Sequence, residues 1–178
     1  MSSPSPSPTK DDYVFTRDFL DNNRINLMHT LTTKVFGYLI HPKILRSTIA
    51  PNRDENSPTS TDQPALRIAD VGTGTAIWLC DVLDQIGKDA NIEAYGFDIS
   101  FDAAPPPSTL PENLTLRKWD VREDLPGDLV VMFDIVHVRF FAFVLLGDEI
   151  PGVVGMLFKM LSMFMQIIQA RNLIQHTI

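Results

Sequence analysis

Carboxylates follow several apolar stretches of this sequence, and one of them precedes a pair of glycines. In the segment ALRIADVGTGTA, Asp70 stands two residues before Gly72, and Thr73 separates Gly72 from Gly74. Glycines at the turn after a strand let a ligand approach the backbone closely, with the N-terminus of the next helix pointing at it. A carboxylate there repels a pyrophosphate and attracts a cation such as the ammonium group of an amino acid. The segment therefore predicts a turn that binds the amino-acid part of a ligand.

A dinucleotide fits this turn poorly. The third glycine of a G-x-G-x-x-G fingerprint would fall at position 77, where the sequence has Ile77. Together with the charge of Asp70, this spacing disfavours an oxidoreductase that uses NAD or FAD, which is kept as a third alternative.

Two further carboxylates end later strand-like segments. Asp98 ends IEAYGFD and can accept hydrogen bonds from both hydroxyls of a ribose. Asp120 lies between Trp119 and Val121, and it can accept a hydrogen bond from the exocyclic amine of an adenine packed on apolar side chains. An amino group, a ribose and an adenine, in strand order, describe S-adenosylmethionine.

The elements that must position these residues alternate between strands and helices. The strand patterns are ALRIADV, IEAYGFDIS, NLTLRKWDV and LVVMFDIVHV, and TAIWLCDVLDQIG predicts a helix after the first, closed by Gly87. The prolines of AAPPPSTLPEN forbid a regular crossover helix and allow one short helical turn. Nearer the N-terminus, Leu27, Leu31 and Val35 share one face of a helical pattern that Pro42 is expected to end. The pattern predicts an α/β fold with a parallel sheet.

Four of these segments resemble, in order and spacing, the consecutive motifs of class I S-adenosylmethionine-dependent methyltransferases, and among them the fungal proteins of secondary metabolism or its regulation. The segments are ADVGTGTAIW, YGFDIS, LRKWDVRED and FDIVHVRFF. RINLMHTLTTKVFGYLIHPKI is similar to the N-terminal helical lid of that group. The resemblance implies a Rossmann-like sheet, S-adenosylmethionine as cofactor, and methyl transfer to oxygen or nitrogen of a small molecule.

The same resemblance implies a role for each residue of the site, and position 76, often glycine in the superfamily, is Ala76 here. The implied ligands are Asp70, Gly72, Thr73 and Gly74 for the methionine part, Asp98 and Ile99 for the ribose and one adenine face, and Asp120 and Val121 for the adenine edge and its other face. No metal is expected, because no His/Asp/Glu cluster has ligand spacing.

Each of these assignments has a plainer alternative. Asp70 can instead cap the following helix, and Asp98 and Asp120 can be ordinary turn residues at strand ends. His137, at the end of the fourth strand, would lie near the reactive methyl, but a satisfied strand-end histidine explains it equally well, so the catalytic residue stays unknown. Arg139 can meet a substrate carboxylate or a neighbouring aspartate. The other histidines, His29 and His41, are taken as lid or loop residues by default.

The C-terminal segment departs from the family pattern. EIPGVVGMLFKMLSMFMQIIQARNLIQHTI has no counterpart of the LKPGG-like turn and fifth strand, so the chain is interpreted as truncated after its fourth strand. A narrow polar stripe through Gly155, Lys159 and Ser162 predicts an apolar helix rather than a membrane span. With strand order 3-2-1-4, the fourth strand becomes a sheet edge that favours self-association. The alternative function is therefore an inactive protein that binds S-adenosylmethionine or a partner.

Composition narrows the remaining possibilities. With 178 residues, 44% of them hydrophobic and 21% charged, the chain fits one soluble globular domain. A net charge of -7 argues against nucleic acid as a partner, and the single cysteine, Cys80, suits a reducing compartment such as the cytoplasm. The predicted domains are a disordered Ser/Pro tail at 1–10, the helical lid at 11–49, a polar loop at 50–64, the cofactor-binding core at 65–148 and a Met-rich helical tail at 149–178.

Overall fold

The structure, a computed structural model, describes residues 19–49, 64–88, 90–141 and 144–162. The predictions for the N-terminal tail, for nearly all of the polar loop and for residues beyond 162 fall outside these ranges. The elements are α1 (Phe19–Phe36), α2 (Pro42–Ile49), β1 (Leu66–Val71), α3 (Ile77–Ile86), β2 (Ile92–Asp98), β3 (Leu114–Lys118), β4 (Ile135–Val138) and α4 (Ile150–Met160), with short 3-10 turns at Pro107–Thr109 and Gly127–Leu129.

The four strands form a parallel sheet in the order β3-β2-β1-β4. The α/β fold and the strand order that the sequence predicts are thereby confirmed, and the arrangement is Rossmann-like. The crossover from β2 to β3 contains only the Pro107–Thr109 turn, as the run of prolines requires. Because the strands run parallel, their carboxyl ends meet at one edge of the sheet, where ligands bind in open α/β folds.

The sheet is covered on both faces, and its central strands β1 and β2 are largely buried. Successive side chains of a strand point to opposite faces, so Ile68 and Ala69 of β1 belong to different clusters. One cluster joins the sheet to α3, through Ile68, Trp78, Leu79, Val82, Leu83, Ile92, Ala94, Leu114 and Ile135. The other joins it to α4, through Ala69, Val71, Phe97, Trp119, Val121, Leu129, Phe133, Val153 and Met160.

The fourth strand is shorter than the sequence predicts. Of LVVMFDIVHV, only Ile135–Val138 pairs with β1. Leu129 ends a 3-10 turn, and Val131 adopts a φ of 58°, in the left-handed region that interrupts a strand. The strand starts later than predicted because Val131 N–H donates to the Lys159 carbonyl (2.8 Å) at the end of α4 instead of to a strand partner.

The segment that follows α4 pairs with the chain just before β4. Phe133 N–H donates to the Met160 carbonyl (2.9 Å), and Ser162 N–H donates to the Phe133 carbonyl (2.6 Å), so Leu161 pairs with Phe133 in parallel. The helix predicted to run through Ser162 therefore ends at Met160, because backbone pairing with the sheet replaces the next helical turn. This bridge lies before Ile135, so it does not reach the β4 edge that was expected to be exposed.

The N-terminal helix packs through a face different from the apolar stripe in its sequence. Leu27 is 57% exposed and Val35 80% exposed, whereas His29 is 1% exposed. The helix ends at Phe36, before Gly37 with a φ of 76°, and Pro42 begins α2 instead of ending α1. None of the helices in the described ranges has the length and hydropathy needed to cross a membrane.

Candidate functional site

The turn after β1 is held by the end of β2. Gly72 N–H and Thr73 N–H both donate to the Phe97 carbonyl (2.8 and 3.0 Å), and Gly74 N–H donates to Asp98 Oδ2 (2.9 Å). These three amides are already engaged within the protein, and a pyrophosphate site needs such amides for its ligand. The turn therefore fits the expectation that its ligand is not a dinucleotide.

Glycine is required at position 72 on two grounds. Gly72 has a φ of 74°, and a Cβ added there would lie 2.5 Å from Cε2 of Phe141. The ring of Phe141 therefore rests directly against the backbone of the turn to which the methionine part of the cofactor is assigned.

Position 76, often glycine in the superfamily, is an alanine with a left-handed backbone conformation. Ala76 is fully buried and has a φ of 58°, a conformation that costs a residue with a Cβ about 1 kcal/mol. The helix α3 begins immediately after it, and its N-terminus has no side-chain cap. The alternative in which Asp70 caps this helix is therefore wrong.

A cavity lies where the carboxyl ends of β1 and β2 meet the loops after β3 and β4. Its wall contains six of the residues predicted to bind the cofactor, namely Gly72, Gly74, Asp98, Ile99, Asp120 and Val121. The sequence did not assign the rest of the wall to the cofactor: Ile25, Val71, Trp119, Arg122, Arg139, Phe140, Phe141 and Val144.

The two carboxylates of the cavity also stabilise local turns. Asp98 accepts a hydrogen bond from Ser100 N–H (3.4 Å) in addition to that from the glycine turn, and Asp120 accepts one from Arg122 N–H (2.9 Å). Asp98 and Asp120 therefore each stabilise a turn and line the cavity. An ionised carboxylate offers about four acceptor sites, so one carboxylate can accept from a turn and from a ligand at the same time.

Thr73 is not part of the cavity wall. Its side chain lies against β2, where a Cβ added to Gly96 would be 3.0 Å from Thr73 Cγ2. Its hydroxyl is buried, with no hydrogen-bond partner among the described residues.

Asp70 and His137 form a pair beside the cavity rather than in its wall. They are direct neighbours on β1 and β4, and His137 Nδ1 donates to Asp70 Oδ1 (2.6 Å). Strand alternation places both on the α3 side of the sheet, where the imidazole stacks on Trp78 with ring centroids 3.7 Å apart. Asp70 thus fixes the orientation of His137, and neither side chain lines the cavity.

His29 is buried next to the cavity, whereas the sequence analysis took it as a lid or loop residue. Its Nε2 lies 2.8 Å from Asp81 Oδ2, and its Nδ1 lies 2.9 Å from Nη2 of Arg139. The residues Asn26 and His29 are three positions apart and thus share one helix face, and Thr75 Oγ1 donates to Asn26 Oδ1 (2.7 Å). The polar residues on this face, rather than the apolar stripe, were the feature of the sequence that could have predicted the buried face of α1.

Arg139 extends from the end of β4 into the cavity wall. Burial of the guanidinium lowers its pKa, an effect that the negative charge of Asp70 opposes. Arg139 also lies over the ring of Phe140, with Cζ 4.9 Å from the centroid. In the described parts of the chain, no three His, Cys, Asp or Glu side chains come together as a metal site would require.

Comparison with known proteins identifies relatives, although no family model matches. The chain is 32% identical over 129 residues to the N-methyltransferase tcpN of Claviceps purpurea, covering 72% of this chain and 40% of that protein. It is 29% identical over 150 residues to the secondary metabolism regulator laeA of Fusarium oxysporum f. sp. lycopersici, covering 84% of this chain and 41% of that protein. It is 34% identical over 84 residues to the N-methyltransferase verN of Clonostachys rogersoniana, covering 47% of this chain and 29% of that protein.

The chain therefore spans at most 41% of the length of these relatives. A solved structure, the CMeT domain of the citrinin polyketide synthase, is 18% identical with a TM-score of 0.44 and covers 61% of this chain and 28% of that one. The similarity to the curated relatives, added to the four motifs and to the parallel sheet that carries them, shows that the chain belongs to the class I methyltransferases of fungal secondary metabolism.

Proposed function

We propose that the cavity binds S-adenosylmethionine and that this protein transfers a methyl group to oxygen or nitrogen of a small molecule. One observation carries the proposal: a single wall joins the glycine turn after β1, Asp98 at the end of β2 and Asp120 after β3. Two carboxylates line this wall and the amides of Gly72, Thr73 and Gly74 are engaged within the protein, which disfavours a polyphosphate at the turn.

The donor set matches the cofactor part by part. Asp98 would accept hydrogen bonds from the ribose hydroxyls, and Asp120 would accept one from the adenine amine. Ile99 is partly exposed and Val121 buried, and both border the cavity, so each can pack against a face of the adenine. At Gly74, where the nearest atom to an added Cβ is Ile25 Cδ1 at 3.9 Å, the turn allows close approach of the methionine part.

Methyl transfer requires the protein mainly to position the cofactor and the acceptor. When bound, S-adenosylmethionine supplies a methyl group activated by a sulfonium. The wall residues would hold this group in line with the acceptor and exclude water. A base is needed only where an acceptor hydroxyl must lose its proton. Because His137 is bonded to Asp70 outside the wall, no proton transfer is assigned to it.

The alternative is a protein that binds the cofactor without transferring its methyl group. The ring of Phe141 against Gly72 favours this alternative, because it occupies space beside the turn that would hold the methionine part. Transfer of a radiolabelled methyl group to a panel of small amines and phenols separates the two functions, since only the first predicts a labelled product.

Substitution of Asp98 tests the cofactor site itself. In Asp98→Asn, the amide oxygen can still accept the Gly74 N–H, but the charge and one acceptor for the ribose are lost. We expect affinity for S-adenosylhomocysteine, measured by calorimetric titration, to fall about tenfold or more. Asp84→Asn, on the exposed face of α3, is the matched control and should bind like the wild type. Equal affinities for all three proteins would contradict the assignment of Asp98.

A further inference from the structure

We propose that Arg139 binds the carboxylate of the ligand in this cavity, and that buried His29 positions the Arg139 guanidinium for that contact. The proposal rests on the proposed function and adds two residues that are not among the cofactor ligands implied by the motifs.

The guanidinium of Arg139 is positively charged and lies where it can contact a ligand carboxylate. It lines the cavity, and burial removes part of its hydration. Among the described residues, no carboxylate lies within 4.0 Å of it, and its hydrogen-bond partner is the neutral ring of His29. A half-buried cation without a direct anionic partner is unfavourable, and a ligand carboxylate would offset the lost hydration.

The tautomer of His29 follows from its two neighbours. Arginine has only donors, so Nδ1 of His29 must accept the hydrogen bond from Arg139, and the ring proton must be on Nε2. Nε2 then donates to Asp81 Oδ2, which fixes the ring from α3. A neutral acceptor engages one N–H of the guanidinium but leaves its charge and its other donors for a ligand. His29 can therefore orient Arg139 without neutralising it.

The strand order places Arg139 at the correct end of the cavity. In the sheet β3-β2-β1-β4, Asp120 follows β3, Asp98 ends β2, the glycine turn follows β1 and Arg139 follows β4. The adenine, the ribose and the methionine part would occupy these positions in sequence, so the carboxylate at the far end of the ligand would meet Arg139. The adjacent Asp70 supplies negative charge at the same end, which suits the accompanying ammonium group.

Two ligands that differ only in the carboxylate test the contact. Calorimetry would compare S-adenosylmethionine with decarboxylated S-adenosylmethionine on the wild type and on Arg139→Gln. We expect the wild type to prefer the carboxylate-bearing ligand by about tenfold or more, and Arg139→Gln to lose that preference while binding the decarboxylated ligand normally. Equal loss for both ligands, or no loss, would overturn the role of Arg139. Failure of the wild type to bind either ligand would instead refute the proposed function.

Two substitutions at one position test the positioning role of His29. His29→Asn retains an acceptor near the place of Nδ1, whereas His29→Gln retains a donor near the place of Nε2. We expect the Asn variant to keep the preference for the carboxylate and the Gln variant to lose it. A merely structural role would change both ligands equally in both variants, and that result would overturn the proposal for His29. Should either variant unfold, Asp81→Ala removes the second support at a half-exposed side chain and must reduce the same preference.

Discussion

Thr73 lies in the turn proposed to hold the methionine part of the cofactor, yet its side chain packs against β2. The buried hydroxyl has no described partner, and desolvating an unpaired hydroxyl costs free energy. We expect Thr73→Val, which keeps the shape and removes the hydroxyl, to raise the free energy of unfolding by about 1 kcal/mol. Chemical denaturation measures this change, and Thr115→Val on the exposed side of β3 is the control that should leave stability unaltered. Lower affinity of Thr73→Val for S-adenosylhomocysteine would show that the hydroxyl contacts the ligand.

Single residues of the site were predictable where a strand end decided their position. Asp98 and Asp120 line the cavity because residues at the carboxyl ends of neighbouring parallel strands converge. The sequence did not show which face of the sheet a strand-end side chain would take, and strand alternation directs Asp70 toward α3 and His137. His29 was missed because its partners, Asp81 and Arg139, are 52 and 110 residues away along the chain.

At the scale of elements, one carboxylate ties the start of α4 to the loop after β3. Glu149 accepts a hydrogen bond from Leu146 N–H (2.7 Å) and another from Nε of Arg122 (3.1 Å). The Leu146 N–H, and then the Arg122 guanidinium, lower the pKa of Glu149. A lowered pKa means that the stabilisation from Glu149 is present above the unfolded-state pKa of about 4.3 and is lost as the pH falls through the folded-state value.

A pH series on Glu149→Gln tests this link. We expect the variant to have a lower Tm than the wild type near neutral pH, and the gap to narrow as the pH falls below the unfolded-state value and through the lowered folded-state pKa of Glu149. Glu112→Gln, at an exposed position before β3, serves as the control and should follow the wild type at every pH. A gap between Glu149→Gln and the wild type that is independent of pH would contradict the account.

Element types followed from periodicity and composition, whereas element ends did not. The strand order, the helix after the glycine turn and the short turn among the prolines agree with the sequence patterns. The pattern around Val131 and the apolar run after Met160 gave wrong boundaries, because the two segments pair with each other through their backbones. Backbone pairing of this kind is indifferent to side-chain type and leaves little trace in a sequence.

At the scale of the whole molecule, α1 joins the cofactor cavity to the core of the sheet. Ile25 lines the cavity, Asn26 bonds to Thr75 beside the glycine turn, and His29 connects Asp81 of α3 with Arg139. The helix therefore contacts the segments after β1 and β4 together. This arrangement makes α1 part of the site and explains why its buried face is polar.

The most direct test of the central claim is calorimetric titration of the 178-residue chain with S-adenosylhomocysteine and, separately, with NAD. We predict one molecule of S-adenosylhomocysteine bound per chain with micromolar affinity, and no binding of NAD, since the amides of Gly72, Thr73 and Gly74 are engaged within the protein. A folded chain, verified by circular dichroism, that releases no heat with S-adenosylhomocysteine or that binds NAD would contradict this claim.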